Sequence, residues 1–251
     1  MSETWGKGTL NNTIGWGQGA CDNTINWGKS QKDSSVAASW SGDTDISGCS
    51  GAAGVAQIDY LNSMSFDGVN DVINCGNDSS LQITGAMTVS YWFKGQTGSA
   101  SVGGVGKLGA SGNRGFCLDC IGTITFYIAQ NTTSLFSLSY SNTPDNNWHH
   151  LVGVYNPSTS VQIYLDGVLV KEQLVSIPAS QYNSSNNLQI GARGDSTGFF
   201  NGSIDEVGIF NVALTDAEIL SIYNATAVVD GVNKTADLSQ LTTPPVAWYR
   251  M

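Results

Sequence analysis

Between Met87 and Leu174 the chain repeats one pattern. A short run of β-branched and aromatic residues is followed by a turn signal, then by another run. The runs are Met87–Phe93, Ile121–Ile128, Leu135–Tyr140, Trp148–Tyr155, Val161–Leu165 and Val168–Leu174. Such residues fit a pleated, half-buried surface better than a helix. The breaks are Asn142-Thr-Pro-Asp145, Asn156-Pro157 and Asp166-Gly167. Asp-Gly between two such runs suits the two positive φ values of a type I′ hairpin turn. Strands at this spacing, with no long helix between them, predict an all-β sandwich or jelly roll. One helix is expected. Thr215-Asp-Ala-Glu218 is a capping-box pattern leading into Ile219, Leu220, Ile222 and Tyr223, so a short helix should run to about Asn224.

Composition narrows the partners. The formal net charge is −10, and only 12% of residues are charged. A nucleic-acid backbone or an anionic membrane would be repelled. Hydrophobic residues make up 41%, too many for a disordered chain. No run approaches the roughly 18 apolar residues that read as a spanning helix. The opening residues Met1-Ser2-Glu3-Thr4-Trp5-Gly6 carry no secretory pattern, so sequons such as Asn131-Thr132-Thr133 and Asn201-Gly202-Ser203 are expected to stay unmodified. Five cysteines, Cys21, Cys49, Cys75, Cys117 and Cys120, give an odd count that fits buried or semi-buried thiols. In a strand, Cys117 and Cys120 would face opposite ways, which argues against a shared zinc or redox role.

The first fifty residues differ from the rest. Trp5-Gly6-Lys7-Gly8 recurs as Trp16-Gly17-Gln18-Gly19 and as Trp27-Gly28-Lys29, at an offset of eleven residues each time. Asn12-Thr13-Ile14 matches Asn23-Thr24-Ile25 at the same offset. Gly and β-branched residues favour extended pieces over helix here. Burying one Trp yields roughly 4–6 kcal/mol at most. Ordering the eleven residues of a unit costs at least about 1 kcal/mol each. The arm therefore needs a second surface, and Trp5, Trp16 and Trp27 are its expected contacts with a partner. The organisation expected is an anchoring arm (1–50), a small-residue connector (51–61), a jelly roll (62–224) and a C-terminal linker or tail (225–251).

Several segments carry a family resemblance. Ser65-Phe66-Asp67-Gly68-Val69-Asn70-Asp71 resembles the opening strand and turn of laminin-G-like, concanavalin A-like jelly rolls. Met87–Trp92 resembles the strand that follows, Trp148–Tyr155 a central strand, and Ile163–Gly167 the next hairpin. Gly202–Phe210 and Ala213–Ile219 resemble the closing strand and its short helix. The resemblance implies an all-β jelly-roll sandwich over residues 62–224. It implies little about activity, because this fold hosts many functions. Separately, the Trp-Gly units, Ser41–Ile46 and Pro245–Arg250 resemble segments of bacteriophage structural proteins that carry such jelly rolls. That second resemblance implies a virion component: a head decoration, fibre or tail-associated protein. The arm would bind other virion subunits and the protein would be oligomeric in the assembly. A free lectin-like carbohydrate-binding protein is the alternative.

The acids, histidines and aromatics are the candidates for chemistry. Glycosidases need two carboxyl groups at a set separation. Asp205-Glu206 is the densest pair, and adjacent strand residues point to opposite faces, so these two are not expected to act together. No enzyme is therefore expected. His149 and His150 sit in one strand run, one to face inward and one outward. Family resemblance implies one structural Ca²⁺ where the first turn meets the closing strand, with Asp67 and Asp205 as ligands and Asp71 as a third. Bacterial surface glycan is a possible ligand, with Phe199, Phe200 or Tyr182 as stacking rings. Arg193-Gly194-Asp195 is read as a chance match to an integrin motif. Trp92 and Trp148 should both be largely buried.

Overall fold

The computed structural model describes residues 63–95, 103–109, 112–120, 123–141, 145–194, 198–226, 228–229, 232–233 and 238–250. The arm with Trp5, Trp16 and Trp27, the connector, Cys21, Cys49 and Asp195 lie outside the described residues. The strands in chain order are β1 (Met64–Asp67), β2 (Ile73–Asn74), β3 (Met87–Gly95), β4 (Gly104–Gly106), β5 (Cys117–Asp119), β6 (Thr123–Ala129) and β7 (Leu135–Ser141). They continue with β8 (His149–Asn156), β9 (Ser160–Leu165), β10 (Val168–Gln173), β11 (Gln189–Ile190), β12 (Asn201–Phe210), β13 (Val228–Val229), β14 (Val232–Asn233) and β15 (Ala247–Tyr249). Helix α1 (Asp216–Thr226) lies between β12 and β13.

Two antiparallel sheets form the expected sandwich. One has seven strands in the order β1-β12-β3-β8-β9-β10, with β15 also paired to β12. The other has six, in the order β2-β11-β4-β5-β6-β7. All six sequence runs become strands, and the Asp166-Gly167 turn has the two positive φ values expected of it, 51° and 77°. The capping box forms as well: Glu218 N donates to Thr215 Oγ1 at 3.3 Å, and Thr215 N donates to Glu218 Oε2 at 3.0 Å.

The core lies between the sheets. On β3, Met87, Val89, Tyr91 and Phe93 alternate with Thr88, Ser90 and Trp92. The first set faces the six-stranded sheet, where the Tyr91 hydroxyl donates to the Leu118 carbonyl at 2.7 Å. Gly153 on β8 has no side chain because a Cβ there would sit 2.8 Å from the Phe126 ring of β6. The second set faces outward yet is also buried. Val152, Val154, Tyr164 and Phe210 pack with Leu214, Ile219, Ile222 and Leu238 in a second cluster, with Val212, Leu241 and Trp248 against its edge. Helix α1 and the C-terminal segment thus roof the seven-stranded sheet.

Three expectations need correction. The stretch read as a linker or tail from 225 onward supplies β15, whose Val207↔Tyr249, Gly208↔Trp248 and Ile209↔Ala247 pairs extend the sheet beyond residue 224. Trp92 is buried at 6% exposure, but Trp148 precedes β8 and is only half-buried. Asp205 and Glu206 are not on a regular strand. Two register steps of β3 are matched by three of β12 between Asp205 and Gly208, and Glu206 has φ 51°. This bulge breaks the alternation that would separate the two acids. Asp205 stands opposite Trp92, and Glu206 accepts a 2.8 Å bond from Trp248 Nε1. Both carboxyl groups therefore serve the roofed side.

Candidate binding face

The outer face of the six-stranded sheet is built differently. Leu118, Phe126 and Leu138 are opposite one another on β5, β6 and β7 and point into the core. By the two-residue period of a strand, their neighbours point away from it. Those neighbours form rungs: Cys117, Tyr127 and Ser137 in one, Asp119, Thr125 and Ser139 in the next, then Thr123 opposite Ser141. Ser137, Ser139, Ser141 and Thr123 are exposed, and Tyr127 is half-buried. Thr125 Oγ1 and Ser139 Oγ lie 3.1 Å apart, tying two strands through their hydroxyls.

An ion pair closes one side of this strip. Arg193, just after β11, places Nη2 2.7 Å from Asp119 Oδ2, and its guanidinium carbon sits 5.6 Å from the centre of the Tyr127 ring. Asp119 is 2% exposed and Arg193 26%. Cys117 Sγ donates to the other Asp119 oxygen at 3.0 Å. Burial raises the Asp119 carboxyl above its ordinary value, with Arg193 and the Cys117 thiol pulling the other way. Burial also pushes the Cys117 thiol up, so it stays protonated and serves as a donor. Cys120 faces elsewhere and donates to the Gly103 carbonyl, as expected for two thiols on opposite sides. Cys75, Cys117 and Cys120 are all free thiols.

A second cation is enclosed near one end of the same sheet. Lys107 is 1% exposed, and its Nζ donates to Asn77 Oδ1 at 2.7 Å, Leu81 O at 3.2 Å and Asn183 Oδ1 at 3.5 Å. All three acceptors are neutral. Burial lowers its pKa to about 8.

The acids expected to bind calcium are only partly brought together. Asp71 Oδ2 accepts from Asp67 N at 2.9 Å, and Asp67 Oδ1 accepts from Val69 N at 2.7 Å, so the two close one turn. Asp67 pairs with Asn201, and Asp205 lies four residues further along β12; at about 3.4 Å per residue that is roughly 14 Å. Asp205 Oδ1 accepts instead from Glu206 N at 2.8 Å. Among the described residues, no group of three or more His, Cys, Asp or Glu is placed to hold a metal ion. The donor set does not fit a calcium shared by Asp67 and Asp205.

The histidines divide as expected. His150 is buried against both Trp92 and Tyr223, with Nε2 2.8 Å from Ser90 Oγ, and burial lowers its pKa to about 3. His149 has Nδ1 2.7 Å from Asp166 Oδ2 and Nε2 3.0 Å from Asp145 Oδ1. Burial opposes its charge, but the two carboxylates outweigh this and raise its pKa. Of the rings considered for sugar stacking, Phe200 is core, edge-on to Phe66, while Phe199 and Tyr182 are half-buried. Sequence reasoning passes over the Tyr127 strip. Its trace is visible in Ser137, Ser139 and Ser141, which alternate with Leu138 and Tyr140, but Arg193 is far away in the chain.

No curated protein sequence matches. Among solved structures, the binding domain of Paraclostridial Mosquitocidal Protein 1 is 14% identical with a TM-score of 0.50, over 68% of this chain and 50% of that one. The receptor-binding domain of botulinum neurotoxin mosaic serotype C/D is 16% identical with a TM-score of 0.53, over 68% and 45%. The chain thus spans half or less of these structures, and at such identity the likeness is one of fold. The family model Laminin_G_3, described as the concanavalin A-like lectin/glucanases superfamily, matches residues 67–220. Those residues take in β2 to β11 entire and all of β12, and on that match the chain belongs to the Laminin_G_3 family of concanavalin A-like domains.

Proposed function

We propose that this chain is a non-enzymatic binding module of a tailed-phage particle. Its arm anchors to neighbouring virion subunits through Trp5, Trp16 and Trp27, and its jelly roll is displayed outward to adhere to bacterial surface glycan. The observation that carries the binding part is the contrast in the sandwich's outer faces. One is roofed by apolar side chains, while the other presents hydroxyls beside a half-buried Tyr and an Arg. Sugars are recognised by such groups: hydroxyls exchange hydrogen bonds, and rings pack on C–H faces. The likeness to toxin binding domains supports binding at the level of fold. The most densely placed acids, Asp205 and Glu206, are 6% exposed under the roof, which supports a non-enzymatic reading. The virion part rests on the Trp-Gly repeat and its need for a second surface.

Removing residues 1–50 separates the two parts. The shortened chain should fail to enter particles yet keep its retention on host polysaccharide. Particles that still incorporate the shortened chain would refute the anchoring role of the arm, and a full-length chain that binds the polysaccharide without ever entering particles would favour a free lectin.

A further inference from the structure

The polar strip on β6 and β7 has a shape that specifies its ligand more closely, given that the chain binds glycan at all. Three rungs face outward: Thr123 with Ser141, Thr125 with Ser139, and Tyr127 with Ser137. Rungs on one face of a strand repeat at about 6.8 Å, and neighbouring strands lie about 4.8 Å apart. Three rungs therefore extend about 14 Å along the strands. That is longer than a single pyranose ring. The hydroxyls are in line on the face of a sheet, not gathered around a point.

Charge sets the second constraint. The exposed members of the strip are Ser and Thr, with Tyr127 at one end. Next to it stand Asp119 and Arg193, which neutralise each other at 2.7 Å. The guanidinium is already committed to a buried carboxylate, so it is not available as the counter-ion of an acidic sugar. The whole chain carries a formal charge of −10, which disfavours approach of a polyanion. Arg193 also holds the Tyr127 ring from one side, which fixes that ring at low entropic cost to binding.

We infer that the outer face of β6 and β7 is a subsite for a linear, uncharged polysaccharide lying along the strands. Tyr127 packs against one sugar unit, and Thr123, Ser137, Ser139 and Ser141 bond to the hydroxyls of the units beside it. Arg193 and Asp119 position Tyr127 and wall the strip on the β5 side.

The test uses the full chain in affinity gels containing a soluble β-glucan, a galactomannan, a dextran or, as the acidic comparison, polygalacturonate. At least one neutral polymer should retard the protein, and polygalacturonate should not. Glucose, galactose and mannose should compete at least about ten-fold more weakly per sugar than the polymer. Ser139→Trp adds bulk to an exposed strand position that tolerates aromatics. It should weaken retardation by about ten-fold or more, while a cooperative melt shows that the fold survives loss of the Thr125–Ser139 hydroxyl contact. Tyr127→Ala should do the same, and its fold is checked by the same melt. Retardation that survives Ser139→Trp places the sugar elsewhere and overturns this assignment while leaving glycan binding intact. Stronger retention by polygalacturonate overturns the uncharged class. No retardation of the unsubstituted chain by any polymer overturns both this inference and the glycan reading it rests on.

Discussion

The two sheets share a strand pattern but differ in what lies on their outer faces. On β3 and β8, the residues between the core positions are Thr88, Ser90, Trp92, His150, Val152 and Val154, all buried beneath α1 and the C-terminal segment. On β6 and β7 the equivalent positions are Thr123, Ser137, Ser139 and Ser141, which are exposed, with Tyr127 half-buried and Thr125 buried. A strand that is apolar on both sides needs a covering layer on each face, whereas one that alternates with Ser needs only one. On the reading proposed above, the roofed face serves stability and the hydroxylated face is left for a ligand.

The largest effect should come from cutting into the roof. Trp92→Ala removes a buried indole stacked at 5.7 Å on Tyr223 and should cost about 3–5 kcal/mol in urea unfolding. Ser137→Ala on the open face should change stability by no more than about 0.5 kcal/mol. Similar losses at both positions would remove the distinction between the faces.

Arg193→Ala tests the one built feature of the open face. It leaves the Asp119 carboxyl buried without its ion-pair partner, which should cost about 3 kcal/mol, the lower end for a broken buried pair because Arg193 keeps some contact with water. A double-mutant cycle with Asp119→Asn should recover part of this loss. Fully additive losses would mean that the pair does not act as a unit.

Three titrating groups give signed pH effects. Lys107 has a folded pKa of about 8, below its ordinary value of 10.5. In that window the unfolded chain keeps a proton that the folded chain has released, so stability should rise from pH 8 towards 10.5. Lys107→Met should flatten the rise. His150, at about 3 when folded against an ordinary 6.5, should withhold its proton while the unfolded chain accepts one. Its contribution to stability is present above pH 6.5 and falls away as the pH drops towards 3. His149 runs the other way. Its raised pKa gives a contribution that is complete below 6.5 and is lost as the pH climbs through the folded value. Imidazole proton shifts should therefore show His149 titrating above 6.5 and His150 silent to well below it. A normal titration of His150 would mean that the roof over it is open.

Sequence alone reveals the strands because each run carries its own periodicity and its own turn chemistry. Asp166-Gly167 and Thr215–Glu218 are local devices and are legible for that reason. Trp248 and Tyr249 read as tail because three residues have no periodicity, and the β12 edge that recruits them is long-range. The bulge at Glu206 is hidden because an extra residue looks like any other until its partner strand is known. The same limit applies to Asp119 and Arg193, which are 74 residues apart. Family resemblance points to Asp67 and Asp205, but resemblance carries positions without carrying register.

The smallest effect expected is that of chelation. EDTA should leave the melting temperature unchanged, because Asp67 and Asp71 are engaged with backbone N–H groups of their own turn. Stabilisation by Ca²⁺ that disappears in Asp67→Asn would instead restore a cation at that turn.

The most direct test of the central claim is hydrogen exchange measured by mass spectrometry on the full chain, with and without the neutral polymer that retards it. The account predicts slower exchange in peptides spanning residues 123–127 and 137–141, and no change in those spanning 216–226 and 247–249. Protection confined to α1 and β15, with β6 and β7 unaffected, would contradict it.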